Sequence, residues 1–188
     1  MEAFSAGTLA GAGSFKCDSC GFAIALHERD AVPDCPECGG DRFSRASLFG
    51  TPEPVPHHTS VEAPEWLPHA RDGLDGDGHY VAFHDGERVR VTALEDGWTR
   101  VGRSLSAHVR FDDPTVSRRH ALLYHDEEGA RVLDDRSLNG VFVNGEPIEL
   151  AELSDGDEIT VGRFSLYFLS AEGRGKGVEE GVGSASGR

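Results

Sequence analysis

Four cysteines carry the first chemical signal. Cys17, Cys20, Cys35 and Cys38 form two Cys-x-x-Cys pairs separated by 14 residues. A Cys-x-x-Cys turn sets two sulfurs on one side of a metal, and four thiolates complete the tetrahedron that zinc takes at about 2.3 Å. Gly21 and Gly39 directly follow the second cysteine of each pair, where the turn needs a positive φ. Disulfides fit poorly with a chain that shows no export signal. A thioredoxin-type redox pair needs a βαβ unit, which this segment is too short to build. Four cysteine ligands close the coordination shell, so the expected zinc is structural. His27 is read as a surface residue.

The second signal is a set of three polar segments. They are Gly102-Arg103-Ser104, Ser117-Arg118-Arg119-His120, and Ser137-Leu138-Asn139-Gly140-Val141-Phe142-Val143-Asn144-Gly145. A phosphothreonine brings close to two negative charges and three acceptor oxygens. An arginine fork is the side chain best shaped to take them. In this order and spacing the three segments resemble the forkhead-associated (FHA) domain family, and residues 15–47 resemble the rubredoxin-like zinc ribbons.

The FHA resemblance implies a phosphopeptide-binding set. Arg103 would grip the phosphate, Ser117 would give it a hydroxyl, Arg118 would add a contact, and Asn139 would hydrogen-bond the peptide main chain. It also implies a structural set: Gly102 for a tight bend, His120 bracing the binding loop from beneath, and Gly140 in a turn. Many family members carry Thr or Ser where this chain has Leu138. One hydrogen bond fewer is worth about 1–3 kcal/mol.

The elements that must position these residues are legible around them. Residues 79–170 hold short β-type runs, several alternating as in Arg88-Val89-Arg90-Val91, which places apolar groups on one face. Asp85-Gly86, Asp96-Gly97, Glu128-Gly129, Asn139-Gly140, Asn144-Gly145 and Asp155-Gly156 supply turns between them. The pattern predicts an all-β, FHA-type β-sandwich without a convincing amphipathic helix. Its expected core is Val91, Leu94, Val101, Val109, Phe111, Leu122, Val132, Val141, Phe142, Ile159, Val161, Leu166 and Phe168. The expected organisation is a disordered N-terminus (1–14), a zinc ribbon (15–47), a Pro/Gly-rich flexible linker (48–78) interrupted by Trp66 and Leu67, the FHA domain (79–170), and a disordered tail (171–188). The ribbon, with little core of its own, is expected to draw most of its folding free energy from metal, on the order of 10 kcal/mol.

Charge narrows the function. The 188 residues carry a formal net charge of −15, which disfavours phosphate backbones and anionic membranes as partners. The ribbon segment itself has Lys16, Arg29, Arg42 and Arg45 against six acids, which argues against a nucleic-acid partner there too. An anionic peptide therefore needs a local patch built by Arg103 and Arg118, with Arg110 or Arg119 beside them; screening over about 8 Å lets such local charges dominate. No run reaches the roughly 18 apolar residues of a membrane span, and Met1 to Ser14 is not signal-like, so the expected location is cytoplasmic. Paired carboxylates, an activated nucleophile and a nucleotide loop are all missing, which argues against an enzyme. The function expected is a phosphothreonine-binding adaptor in Ser/Thr kinase signalling, its partner a phosphorylated kinase or kinase substrate. Two alternatives stand beside it: a switch that binds its own phosphorylated Thr8, Thr51 or Thr59, and a nucleic-acid-binding ribbon.

Overall fold

The computed structural model describes residues 3–46 and 63–171. The first stretch is a four-stranded antiparallel sheet. Its strands are β1 (Ala3–Ser5), β2 (Gly13–Cys17), β3 (Ala23–Leu26) and β4 (Arg42–Arg45), in the order β1-β4-β2-β3. Phe15, Phe22, Ile24, Val32 and Phe43 are buried around Cys17 and Cys35. The ribbon thus has an apolar core beside its thiols, more than its length suggested.

Residues 3–14 depart from the disorder expected of them. Phe4, on β1, packs edge-on against Phe15 at 5.2 Å. The Thr8 hydroxyl donates to the Ser5 carbonyl at 2.6 Å, and the Thr8 carbonyl accepts from the Val32 amide at 2.8 Å. Thr8 is therefore pinned within the ribbon and is no free arm. Thr51, Thr59 and the tail from residue 172 lie outside the described residues.

The second stretch is a sandwich of two sheets. One holds β7 (Gly97–Gly102), β8 (Val109–Arg110), β9 (Ala121–Asp126), β10 (Gly129–Asp134) and β13 (Leu150–Leu153), in the order β13-β10-β9-β7-β8. The other holds β5 (His79–His84), β6 (Val89–Ala93), β11 (Val141–Val143), β12 (Glu146–Ile148), β14 (Glu158–Val161) and β15 (Phe164–Ser170), in the order β12-β11-β14-β15-β5-β6. All pairings are antiparallel except β7 with β8. The all-β sandwich preceded by a four-cysteine ribbon agrees with the sequence reading.

The core between the sheets follows strand alternation. On β7, Thr99 and Val101 are buried and Trp98 and Arg100 exposed. Val81, Phe83, Val101, Leu123, Val132, Val141, Ile159, Val161, Leu166 and Phe168 meet in one cluster. Three of the expected core residues fall outside this cluster; Phe142, between Val141 and Val143 on β11, is buried but is not part of it. Leu122 is only half-buried because the pleat turns Leu123 inward, and Val91 is exposed because it pairs with Ala82 on the outer face of the second sheet.

One short helix, α1 (Leu67–Asp72), covers the outer face of the second sheet. Leu67 and Ala70 pack there with Tyr80, Ala82, Tyr167 and Leu169, and Trp66 meets Tyr167 edge-on at 5.6 Å. Six residues are too few to show a helical period, so no amphipathic pattern marks the helix in residue order. The helix explains why β5 and β15 are apolar on both faces.

Candidate functional site

The loops at one end of the sandwich bring the three polar segments together. β7 ends at Gly102, and the chain beyond it is laced to the segment before β9. The Arg103 amide donates to Ser117 O at 3.0 Å, Ser104 to Arg118 O at 3.1 Å, and His120 to Val101 O at 3.0 Å. A Cβ at Gly102 would lie 2.4 Å from Arg118 O and 3.0 Å from Ser117 O. Glycine is required there for this backbone approach rather than for the tight bend expected from sequence.

His120 is fully buried and ties two loops together. Its Nδ1 accepts from the Ser117 amide at 3.0 Å, and Nε2 lies 3.1 Å from the Gly140 carbonyl. Since Nδ1 accepts, Nε2 carries the proton and donates. The Ser117 hydroxyl accepts from the Leu138 amide at 3.0 Å, which joins the second segment to the third. Asn139, 1% exposed, donates from Nδ2 to Thr115 O at 3.3 Å.

Several positioning residues escaped the sequence reading. Asp113 accepts from the Thr115 amide and hydroxyl at 2.9 and 2.7 Å, and Arg163 pairs with Asp113 at 2.7 Å. Gly162 has φ +60, and a Cβ there would lie 2.7 Å from Thr115 O. The one available signal was Gly162-Arg163, a second Gly-Arg pair at a strand end.

The ribbon lies on these loops. β3 is the edge strand of its sheet, and Ala23 and Ala25 turn their polar backbone groups away from β2. The Ala23 amide donates to Asn139 Oδ1 at 2.8 Å, and Asn139 Nδ2 donates to Ala23 O at 2.8 Å. The Ala25 amide donates to Pro114 O at 2.7 Å, and Arg103 Nη1 donates to Ala25 O at 2.7 Å. Asp30, in the loop after β3, sets a carboxylate oxygen 3.8 Å from Arg103 Nη1. Arg103 and Ser117 are only 6% and 8% exposed.

Burial pushes the Arg103 guanidinium below its ordinary pKa, and the charges of Asp30, Asp112 and Asp113 push back. Arginine remains a cation. Its Nε is buried without a protein partner. Arg118 is exposed beside it. The two other candidates for a positive patch are already paired: Arg110 meets Asp112 at 2.8 Å, and Arg119 makes two bonds of 2.7 Å to Asp135.

The four cysteine sulfurs all lie within 4.8 Å of one another. Cys17 and Cys38 are 3.7 Å apart and Cys20 and Cys35 are 3.5 Å apart, far beyond a disulfide bond of about 2.05 Å. A tetrahedron of ligands 2.3 Å from a metal has edges of about 3.8 Å, so the cluster fits one ion. Backbone N–H groups of Ser19 and Cys20 hydrogen-bond the Cys17 sulfur, and those of Glu37 and Cys38 the Cys35 sulfur. Such donors favour thiolate over thiol. Gly21 and Gly39 have φ of 81° and 70°. Among the described residues this is the one grouping of metal-ligand side chains with that closeness.

A sandwich with these loops, preceded by a four-thiol ribbon, defines a two-module class of protein. Residues 99–162 match the FHA domain family and residues 1–47 a family described as zinc-ribbon containing domain. The oxoglutarate dehydrogenase inhibitor of Corynebacterium efficiens is 35% identical over 133 residues, covering 64% of this chain and 94% of that protein. The chain belongs to the FHA-domain family. The glycogen accumulation regulator GarA of Mycobacterium tuberculosis is 41% identical over 83 residues, 44% of this chain. The chain spans about half (51%) of that relative's length. A solved FHA domain from work on phosphothreonine-dependent FHA interactions is 33% identical, with a TM-score of 0.46, over 48% of this chain and 94% of its own.

Proposed function

We propose that this protein is a non-catalytic reader of phosphothreonine peptides, acting as an adaptor in Ser/Thr kinase signalling. Arg103 receives the phosphate, Ser117 and Arg118 contribute to the same anion, and Asn139 reads the peptide main chain. One observation carries the reading: Asn139 and Arg103 already hold an extended main chain, through paired bonds of 2.8 Å and one of 2.7 Å. The buried, unpartnered Nε of Arg103 leaves a guanidinium donor for a phosphate oxygen. The relatives named above as a regulator and an inhibitor favour regulation over catalysis.

The metal is zinc, held by Cys17, Cys20, Cys35 and Cys38. All-sulfur ligation at tetrahedral spacing suits it, and a closed shell leaves no position for substrate. Its role is to hold the ribbon's shape.

A phosphothreonine-peptide library presented to the full chain tests the reading. Preference for phosphorylated over unphosphorylated peptide is expected, and Arg103→Ala should weaken binding at least tenfold, the scale of a lost charge-assisted pair of about 1.5–3 kcal/mol. Equal binding of both peptide forms rejects it.

A further inference from the structure

The recognition loops are already engaged, and by a segment of the same chain. We propose that the ribbon is a built-in lid of the reader: β3 and Asp30 stand in for peptide main chain and phosphate, and a phosphopeptide binds only when the ribbon moves off. The inference rests on the phosphopeptide reading above and adds the site's regulation.

Three features support it. First, the contact is through main chain. An edge strand normally leaves its outward N–H and C=O groups to water or to a foreign strand. Here the outward groups of Ala23 and Ala25 are all taken, by Asn139, Pro114 and Arg103. Reading an extended backbone is how a peptide-recognition groove gains affinity without regard to side chains. Second, the residues engaged are those assigned to the phosphopeptide. Asn139 and Arg103, 1% and 6% exposed, give side-chain donors to the carbonyls of Ala23 and Ala25, so ribbon and peptide exclude each other. Third, the charge is graded. Asp30 places one negative charge 3.8 Å from Arg103, and its Oδ2 is oriented by the His27 amide at 2.7 Å. A phosphate brings close to two charges and a third oxygen. The lid is therefore a weaker ligand per contact, compensated by being on the same chain.

A lid of this kind lowers apparent peptide affinity by the fraction of molecules open. Ala25→Pro tests it in the full chain. Proline removes the N–H that reaches Pro114 O, while the β2–β3 ladder, which does not use that N–H, stays whole. A degenerate fluorescein-labelled phosphothreonine nonapeptide pool serves as probe, read by anisotropy. Ala25→Pro is expected to bind at least about tenfold tighter than wild type, and the Ala25→Pro/Arg103→Ala double variant to lose that binding. Equal, Arg103-dependent affinities in wild type and Ala25→Pro would overturn the lid and leave the reader standing. Binding that ignores Arg103 in both would overturn the reader, and the lid with it. Amide hydrogen exchange of the wild type decides the matter even if Ala25→Pro misfolds. Ala23 and Ala25 should be protected in the free protein and exposed under saturating probe; fast exchange of both in the free protein overturns the lid.

Discussion

At the scale of single residues, the site depends on backbone held to backbone, with two side chains as ties. His120 spans from the Ser117 amide to the Gly140 carbonyl, and the Ser117 hydroxyl holds the Leu138 amide. Gly102 makes this possible by letting the Ser117–Arg118 backbone come within contact of its own Cα. Gly102→Ala should therefore act as overpacking against a backbone that has little room to retreat, costing about 1–3 kcal/mol. The expected result is a lower denaturation midpoint together with weakened phosphopeptide binding and an unchanged metal content. Wild-type stability and affinity in Gly102→Ala would show that the loops are looser than these distances imply. Leu138 belongs to the same scale. It contributes its amide to Ser117 and no hydroxyl to a ligand, so the third segment is tied to the second without adding a donor to the phosphate.

At the scale of elements, α1 and the turn before β14 are joined by Arg71 and Asp155 at 2.9 Å. Partial burial pushes the Asp155 carboxyl up, but hydrogen bonds from Arg71 and the Ser170 amide outweigh it and hold the group below its ordinary value. The sign follows by linkage: a carboxylate with a lowered folded pKa contributes stability above its unfolded pKa of about 3.9, lost as pH falls through the folded one. Asp155→Asn should thus lower stability at neutral pH and flatten its decline below about pH 4. Both ion-pair partners are about a third exposed or more, so the loss should stay under about 1 kcal/mol. Denaturant midpoints at pH 7 and pH 3 check it; an Asp155→Asn profile parallel to wild type would assign the acid response to other groups.

The same element shows where the sequence was and was not readable. Alternation and Asn-Gly or Asp-Gly turns marked nearly every strand of the sandwich, because period-2 burial writes itself into residue order. The helix was hidden because six residues cannot display a 3.6-residue period, and residue order does not divide β12 from β13 because one residue separates them. Arg103, Ser117 and Asn139 were legible as a motif. Ala23, Ala25 and Pro114 were not, since they act through backbone atoms that any residue type possesses. A main-chain contact leaves no compositional trace, and only coordinates reveal it.

At the scale of the whole molecule, the two modules have separate cores and one shared contact, which ties metal to recognition. β3 keeps its edge presented because it is paired to β2, which ends in Cys17, and because Cys20 precedes it by three residues. A small sheet whose thiols are clustered for one ion loses much of its folding free energy when that ion leaves. Metal removal, by chelation followed by thiol alkylation, is therefore expected to dissolve β3 as a presented edge and to raise phosphopeptide affinity, by the same about tenfold factor as opening the lid. The sandwich should be unaffected, and the chain provides its own means of telling. Its two tryptophans are Trp66, packed on Tyr167, and Trp98, on β7. Both report on the sandwich and neither on the ribbon. Tryptophan-detected melting should stay close to that of the metal-loaded protein while far-ultraviolet dichroism loses the ribbon's contribution and anisotropy records the tighter binding. A collapse of the tryptophan transition on metal removal would mean that the ribbon is part of the sandwich's stability. Unchanged affinity after proven ribbon unfolding would mean that Arg103 and Asn139 were never screened from peptide by the segment they hold.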